Sequence, residues 1–392
     1  MVLSLFMVSS AWGVVRSIWG LQAESPTLYC EGGFTYTVEE QLTLPTNHNR
    51  GFLLALDGVN NRLYVVTGGA AGAQFRLATV SMDDLTLLDT VDIGGANEFQ
   101  LEGVVVGGTR ESDGQLYIVF RHTGAGVGNG CFGAERCLNL HVFDGTTLIT
   151  NTDYTTQRSR EMQSAIVTEA GDFVYIVHNQ DDSNARLRRI NADTFALDTG
   201  YDEIVHPSSV AATNIVESDD RFYFSRADTD LLERMTIGGS GITTMDPLPD
   251  SPNNIASFYH AEDAASTYIV VESDDDISST AELVLVLEEA FTIDRGFSFT
   301  PGQHQGKIFG DGIYDSNSIT IHSLRNVLAA AGRRSIQRIL FTNPLTSENF
   351  LLETSLSSSR RSGNAKFSPL LNAFYVVDLG DPAVVTKVGI CT

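Results

Sequence analysis

Lysine is almost missing from this chain: Lys307, Lys366 and Lys387 are the only three, so arginine carries nearly all of the positive charge. Basic residues are few altogether, 25 against 49 acidic, and the formal net charge of −24 argues against nucleic acid or an anionic membrane surface as partner. Such a surface suits a salty or polyvalent-cation medium, and a genome rich in G and C gives the same arginine bias. Beyond the first two dozen residues no stretch approaches 18 consecutive apolar residues, the length a membrane helix needs. Helix-period runs are also scarce. GxSxG, HExxH and SxxK do not occur, and neither does CxxC, which leaves the serine-nucleophile, zinc-protease and zinc-ribbon chemistries without their local motifs. Asn-x-Ser/Thr is missing too, so glycan attachment at that sequon is not expected.

A recurring strand dominates what is present. Apolar, β-branched segments centred on Tyr64, Tyr117, Tyr175, Tyr223, Tyr268, Thr320 and Tyr375 return about every fifty residues, the period of a four-stranded sheet repeated round an axis. Around each, further apolar runs separated by turn residues complete a unit. FLLALD, RLYVV, FRLATVS and LTLLDTVDI make the first; GVVVGG, QLYIVF, LNLHVF and TLIT the second. SAIVTEA, FVYIVH, ARLRRIN and FALDT give the third, ATNIVES, RFYFS, LLERMTI and ITTMD the fourth, and ASFYHA, TYIVV, ELVLVL and FTIDRG the fifth. The sixth, KIFGDGIY, SITIH, IQRILF and NFLLETS, is interrupted by LRNVLAAAG, which suits a helical turn or two. The last has only AKFSPLL, AFYVV and VVTKVGI, one strand short, while FTYTVEEQL stands unused before the first.

The fold expected is therefore all-β: a seven-bladed β-propeller of four-stranded antiparallel blades, its ring closed by the N-terminal strand in the last blade. Closure of that kind removes two open edges, and open edges invite aggregation. Cysteine placement agrees, with Cys30 just before the N-terminal strand and Cys391 just after the C-terminal one. Of three ways to pair four cysteines, Cys30 with Cys391 and Cys131 with Cys137 suits both the ring and the short loop, four reduced thiols being the plain alternative. A crosslink closing a loop of about 360 residues would stabilise on the order of 5 kcal/mol in the chain-entropy account.

Val2 to Val15 is nearly continuous apolar sequence and Ala23 offers a small residue before Glu24, so residues 1–23 read as a signal peptide and 24–392 as one domain. No Lys or Arg precedes the apolar run and Arg16 follows it, which keeps an uncleaved anchor as the alternative. An extracellular or cell-surface location follows from either.

The units resemble the repeats of seven-bladed propellers of the YVTN and lactonase-like kind. LYVV at Leu63 to Val66, LYIV at Leu116 to Val119, VYIV at Val174 to Val177 and FYVV at Phe374 to Val377 carry the likeness, with turn residues at Asp83, Asp84, Asp144, Gly145 and Asp193. WD dipeptides, Kelch double glycines and sialidase Asp-boxes are missing. The resemblance implies a fold far more than an activity, because propellers host binding modules, lyases, lactonases and redox enzymes alike.

In such a fold the loops between blades converge with the second-strand ends at one mouth of the channel. Thr46, His48, Asn49, Arg50, Asn97, Glu98, Arg158, Arg160, Glu161, His206, Asn253, Asn254, His304, Gln305, Arg360, Arg361 and Asn364 would lie there, joined by His122, His178, Arg226, Glu272 and Asp378. His178, His206 and His304 are the acid/base candidates; Arg50, Asn97, Glu98, Arg160, Arg226 and Arg361 are the ligand-binding ones, arginine serving as a bidentate clamp for a carboxylate. The plain alternative is a polar, solvated loop set.

No metal is expected. Acidic groups at Asp181 and Asp182, Asp219 and Asp220, Asp228 and Asp230, and Asp274 to Asp276 could offer oxygens to calcium but lack EF-hand spacing. The glycines of TGAGVGNG lead into Cys131 and a strand, not the helix a phosphate loop needs. Two functions remain: a recognition and scaffold module for protein or glycan partners or its own copies, and a propeller enzyme acting on a carboxylated or sugar substrate by lactone hydrolysis or β-elimination.

Overall fold

Runs such as Leu63 to Val66 and Leu116 to Phe120 do not alternate apolar with polar, so strands built from them must be covered on both faces. The computed structural model arranges them in that way. It describes residues 36–68, 75–93, 99–123, 136–158, 161–168, 170–179, 185–199, 201, 204–206, 216–218, 221–225, 231–236, 242–247, 255–262, 266–273, 282–298, 304–307, 313–315, 320–327, 334–340, 346–352, 362–368, 370–378 and 380–390.

After an opening strand β1 (Tyr36–Thr43), the first sheet holds β2 (Asn49–Asp57), β3 (Arg62–Gly68), β4 (Arg76–Ser81) and β5 (Leu87–Asp92). The second holds β6 (Phe99–Thr109), β7 (Leu116–Thr123), β8 (Arg136–Asp144) and β9 (Thr147–Arg158), and the third β10 (Glu161–Val167), β11 (Phe173–Asn179), β12 (Ala185–Asn191) and β13 (Ile204–His206). Next come β14 (Val216–Ser218), β15 (Arg221–Ser225), β16 (Leu232–Thr236) and β17 (Ile242–Met245), then β18 (Ile255–Glu262), β19 (Thr267–Ser273), β20 (Glu282–Leu287) and β21 (Thr292–Ser298). In the sixth sheet β22 (His304–Lys307) and β23 (Ile313–Asp315) both pair with β24 (Thr320–Val327), which is followed by β25 (Arg334–Leu340) and β26 (Thr346–Leu352). The last three strands are β27 (Ser362–Ser368), β28 (Ala373–Asp378) and β29 (Val384–Ile390). All the pairings within the sheets are antiparallel, and β1 adds to β29, from Tyr36 opposite Ile390 to Thr43 opposite Val384.

Two expectations from the sequence are corrected. FALDT is not the fourth strand of the third sheet: Phe195 takes a left-handed φ of 57°, Leu197 makes a single bridge to Ile190, and the ladder resumes only at β13. Leu324 to Val327 is not helical but the end of β24, where cross-strand partners on β25 and β22 hold it extended. Leu328 to Gly332, the rest of that stretch, lie outside the described residues.

In the first three sheets the pleat divides the second strand between two neighbours. Leu63 and Val65 pack with Tyr375, Val377 and Val385 of the last sheet, whereas Tyr64 and Val66 pack with Leu116, Ile118 and Phe120 of the second. Tyr117 and Val119 in turn meet Val174 and Ile176 of the third, and Tyr175 and Val177 meet Phe222 and Met235 of the fourth. First strands also lie side by side, β2 by β6, β6 by β10, β14 by β18 and β18 by β22, while β2 touches β27 of the last sheet. Burial falls outward: every residue of β28 and β29 is buried, whereas β1 has none.

The repeated tyrosine acquires a role here. In four of the units its hydroxyl reaches a turn of a neighbouring sheet, whereas that of Tyr175 accepts from Arg189 in its own sheet. Tyr64 donates to Gly114 O at 3.4 Å and accepts from Gly145 N at 3.1 Å; Tyr117 donates to Ala192 O at 3.1 Å, and Tyr223 to Glu288 Oε1 at 3.0 Å. Tyr375, in the last sheet, donates to Met82 O in the first. Burial pushes the Tyr117 phenol up to about 12, so it stays a donor at any ordinary pH. Gly114 permits one such approach: at φ +73° it lies so close that a Cβ would come within 2.3 Å of Asp57 Oδ1.

Lys387 reinforces the junction of last and first sheets. Its Nζ donates to Asp83 O at 2.7 Å and lies 3.3 Å from Glu39 Oε2 on β1. Glu39 reaches it across Gly389, where a Cβ would stand 2.0 Å from Glu39 Oε1. Removing the Tyr375 hydroxyl as Tyr375→Phe leaves the Met82 carbonyl short of a buried donor, and chemical denaturation should show about 1–2 kcal/mol less stability. Gly389→Ala should lower the melting temperature by displacing Glu39 from Lys387, and Glu39→Ala in that background should add little further loss.

Candidate functional site

The ends of β2 to β5 build the best-described part of the expected rim. Chain crossing from the last sheet to the first passes through His48, whose N–H donates to Pro45 O and whose carbonyl accepts from Ala383 N, both at 2.8 Å. The residue is 1% exposed and its Nδ1 is hydrogen-bonded to Thr67 Oγ1 at 2.9 Å. Beside it, Arg76 Nε and Asp92 Oδ1 form an ion pair at 3.0 Å. Burial, helped by Arg76 and opposed by Asp92, lowers the His48 pKa to about 4. A neutral imidazole locked to a buried threonine positions backbone.

The second-strand ends tell the same story. His178, on β11 between Met162 of β10 and Arg186 of β12, is fully buried. Glu272 on β19 and Asp378 on β28 are fully buried too. Asp378 Oδ1 accepts from Gly380 N at 3.1 Å and Val384 N at 2.7 Å, fixing the turn that leads into β29. None of the three is open to solvent, and Asp378 is occupied by the turn.

Of the other acid/base candidates, His206 is the last residue of β13, opposite Ala185, on the outer strand instead of an inter-sheet loop. His304 opens β22 opposite Val327. Among the ligand-binding candidates Arg50 lies at a ladder irregularity of β2. Asn97, Glu98, Arg160, Arg226 and Arg361 are outside the described residues, as are the four acidic groups considered for calcium. So are Cys30, Cys131 and Cys391; Cys137 lies on β8, opposite His122 and Arg158. Among the described side chains, the rim residues brought together are His48, Thr67, Arg76 and Asp92. Thr67 was missed because a threonine ending a strand looks like any other; its buried histidine partner is 19 residues away.

No family model matches the chain, and no curated protein matches it. Solved structures do. Raptor from Chaetomium thermophilum is 9% identical over 90% of this chain with a TM-score of 0.58, although the chain spans only 29% of Raptor. The Cps50 (Swd1) β-propeller domain of Myceliophteria thermophila gives the same identity, coverage and TM-score, with 99% of that domain covered. A chain of the mitotic checkpoint complex is 10% identical over 89% of this chain and 93% of its own length, at a TM-score of 0.55. Likeness at such low identity concerns the fold alone, and that fold is a β-propeller.

Because His48 holds fewer protons folded than unfolded between its two pKa values, its contribution is intact above pH 6.5 and is lost as the pH falls towards about 4. Melting temperature should drop across that window, and His48→Gln should flatten this part of the profile.

Proposed function

We propose that the chain is an exported, seven-bladed propeller of the YVTN and lactonase-like repeat type that works as a recognition and scaffold module. Its seven sheets are the blades, and β1 closes the ring. The pairing of β1 with β29 supports this, as do the shared core of first and last sheets and the reach of Tyr375 and Lys387 from one to the other. Cys30 with Cys391 would lock the same closure covalently.

The observation that carries the functional reading is the burial of His178, Glu272 and Asp378. Strand-end groups that chemistry would need in contact with a substrate are closed off from solvent. A rigid disc then offers its faces and circumference to a protein or glycan, or to another copy. Structural neighbours include a component named for the mitotic checkpoint complex, an assembly of proteins, which favours protein partners. Strong negative charge keeps nucleic acids and anionic lipids away.

Thermal-shift measurements against purified extracellular proteins and a glycan panel test the reading. A specific partner should raise the melting temperature by mass action, while turnover of a lactone or uronate without any macromolecular ligand would overturn it. Cys391→Ser should lower the melting temperature under oxidising conditions and have no effect under reducing ones; equal melting in both would reject the covalent closure.

A further inference from the structure

Six large apolar side chains among the described residues are exposed: Val59, Leu88, Leu148, Ile149, Ile293 and Leu370. Val59 and Leu370 stand singly on hairpin turns and Ile293 singly on β21, the ordinary scatter of a protein surface. Leu88, Leu148 and Ile149 do not scatter. They occupy the outer strands of two consecutive sheets, β5 and β9, each just past the turn that opens its strand.

Both strands carry a bulge at this place. Thr79 faces Asp89 and Val80 faces Leu87, leaving Leu88 as the extra residue; Val142 faces Thr150 and Phe143 faces Leu148, leaving Ile149. A bulge re-aims the side chain it carries, here into solvent, where exposure is 52% for Leu88 and 46% for Ile149. Thr146 Oγ1 donates to Asp89 Oδ2, fastening the turn before Leu148 to the residue after Leu88. Apolar surface is thereby gathered across the junction of two sheets, the arrangement that marks binding patches.

Carboxylates flank it. Asp84, Asp89 and Asp144, in or next to the turns that open the two strands, are exposed, and the nearby Arg62 is held by Asp144. A second copy would bring aspartates against aspartates on a molecule already at −24. We propose that this junction docks a protein segment whose apolar side chains cover Leu88, Leu148 and Ile149 and whose flanking lysines or arginines meet the aspartates. The inference rests on the protein-recognition reading and gives it a surface and a partner chemistry. The outer edges of β5 and β9 have no strand partner among the described residues, so an extended segment could also take backbone hydrogen bonds there.

Fluorescence anisotropy with the full chain and a short labelled peptide alternating valine and lysine tests this, with a valine–glutamate peptide as control. Leu88→Ser with Ile149→Ser keeps every charge and should weaken lysine-peptide binding about tenfold or more with the melting temperature unchanged. Val59→Ser with Leu370→Ser should bind as the wild type does. Equal affinity in all three proteins would mean undirected charge attraction and would overturn the proposal, as would binding of the glutamate peptide. A dimer in sedimentation that the Leu88/Ile149 pair abolishes would overturn it in favour of a second copy. Any of these failures leaves recognition by other faces standing, because the partner screen reads the whole surface.

Discussion

Everything in this molecule depends on sheets that must be covered on both faces. A strand such as Leu63 to Val66 has no polar side to turn to water, so its sheet is stable only between two others. The pleat then assigns Leu63 and Val65 to one neighbour and Tyr64 and Val66 to the other. Removing the first, second or third sheet would uncover a buried face on each of its two neighbours.

Tyrosine solves a problem that this packing creates. Between sheets the contact is apolar and carries little directional information, so neighbouring sheets could slide. A phenol reaching a turn carbonyl fixes the relation at one edge, and Tyr117 to Ala192 repeats what Tyr375 does with Met82. Arg62 with Asp144 and Arg110 with Asp193 add polar contacts along the same turn side.

Much of the fold was legible because its signals are local. Four runs per unit gave the strands of the first, second, fourth and fifth sheets nearly as found, and FTYTVEEQL was placed against the C-terminal strand. FALDT misled because Phe195 and Leu197 are apolar at strand spacing, whereas the backbone turns at Phe195 in a way residue type does not announce. LRNVLAAAG misled because alanine and leucine favour helix in isolation, yet from Leu324 to Asn326 pairing with β25 prevails. The expected rim was read least well. Counting His and Arg in loops cannot tell a group facing solvent from a buried one, and His178 and Asp378 are of the second kind. The tyrosine was visible as a repeat, but its hydroxyl's destination lies one sheet away and leaves no local trace.

The pairing of β1 with β29 has a kinetic side. Gln41 meets Thr386 across 345 residues, and sequence-distant pairing of this kind slows folding because its loop-closure entropy must be met first. During synthesis β1 emerges early and must wait with both edges bare until its partner exists. Glu39 and Glu40 at its middle would discourage it from joining another nascent strand in the meantime, so the same carboxylate that later holds Lys387 also guards the unfinished chain.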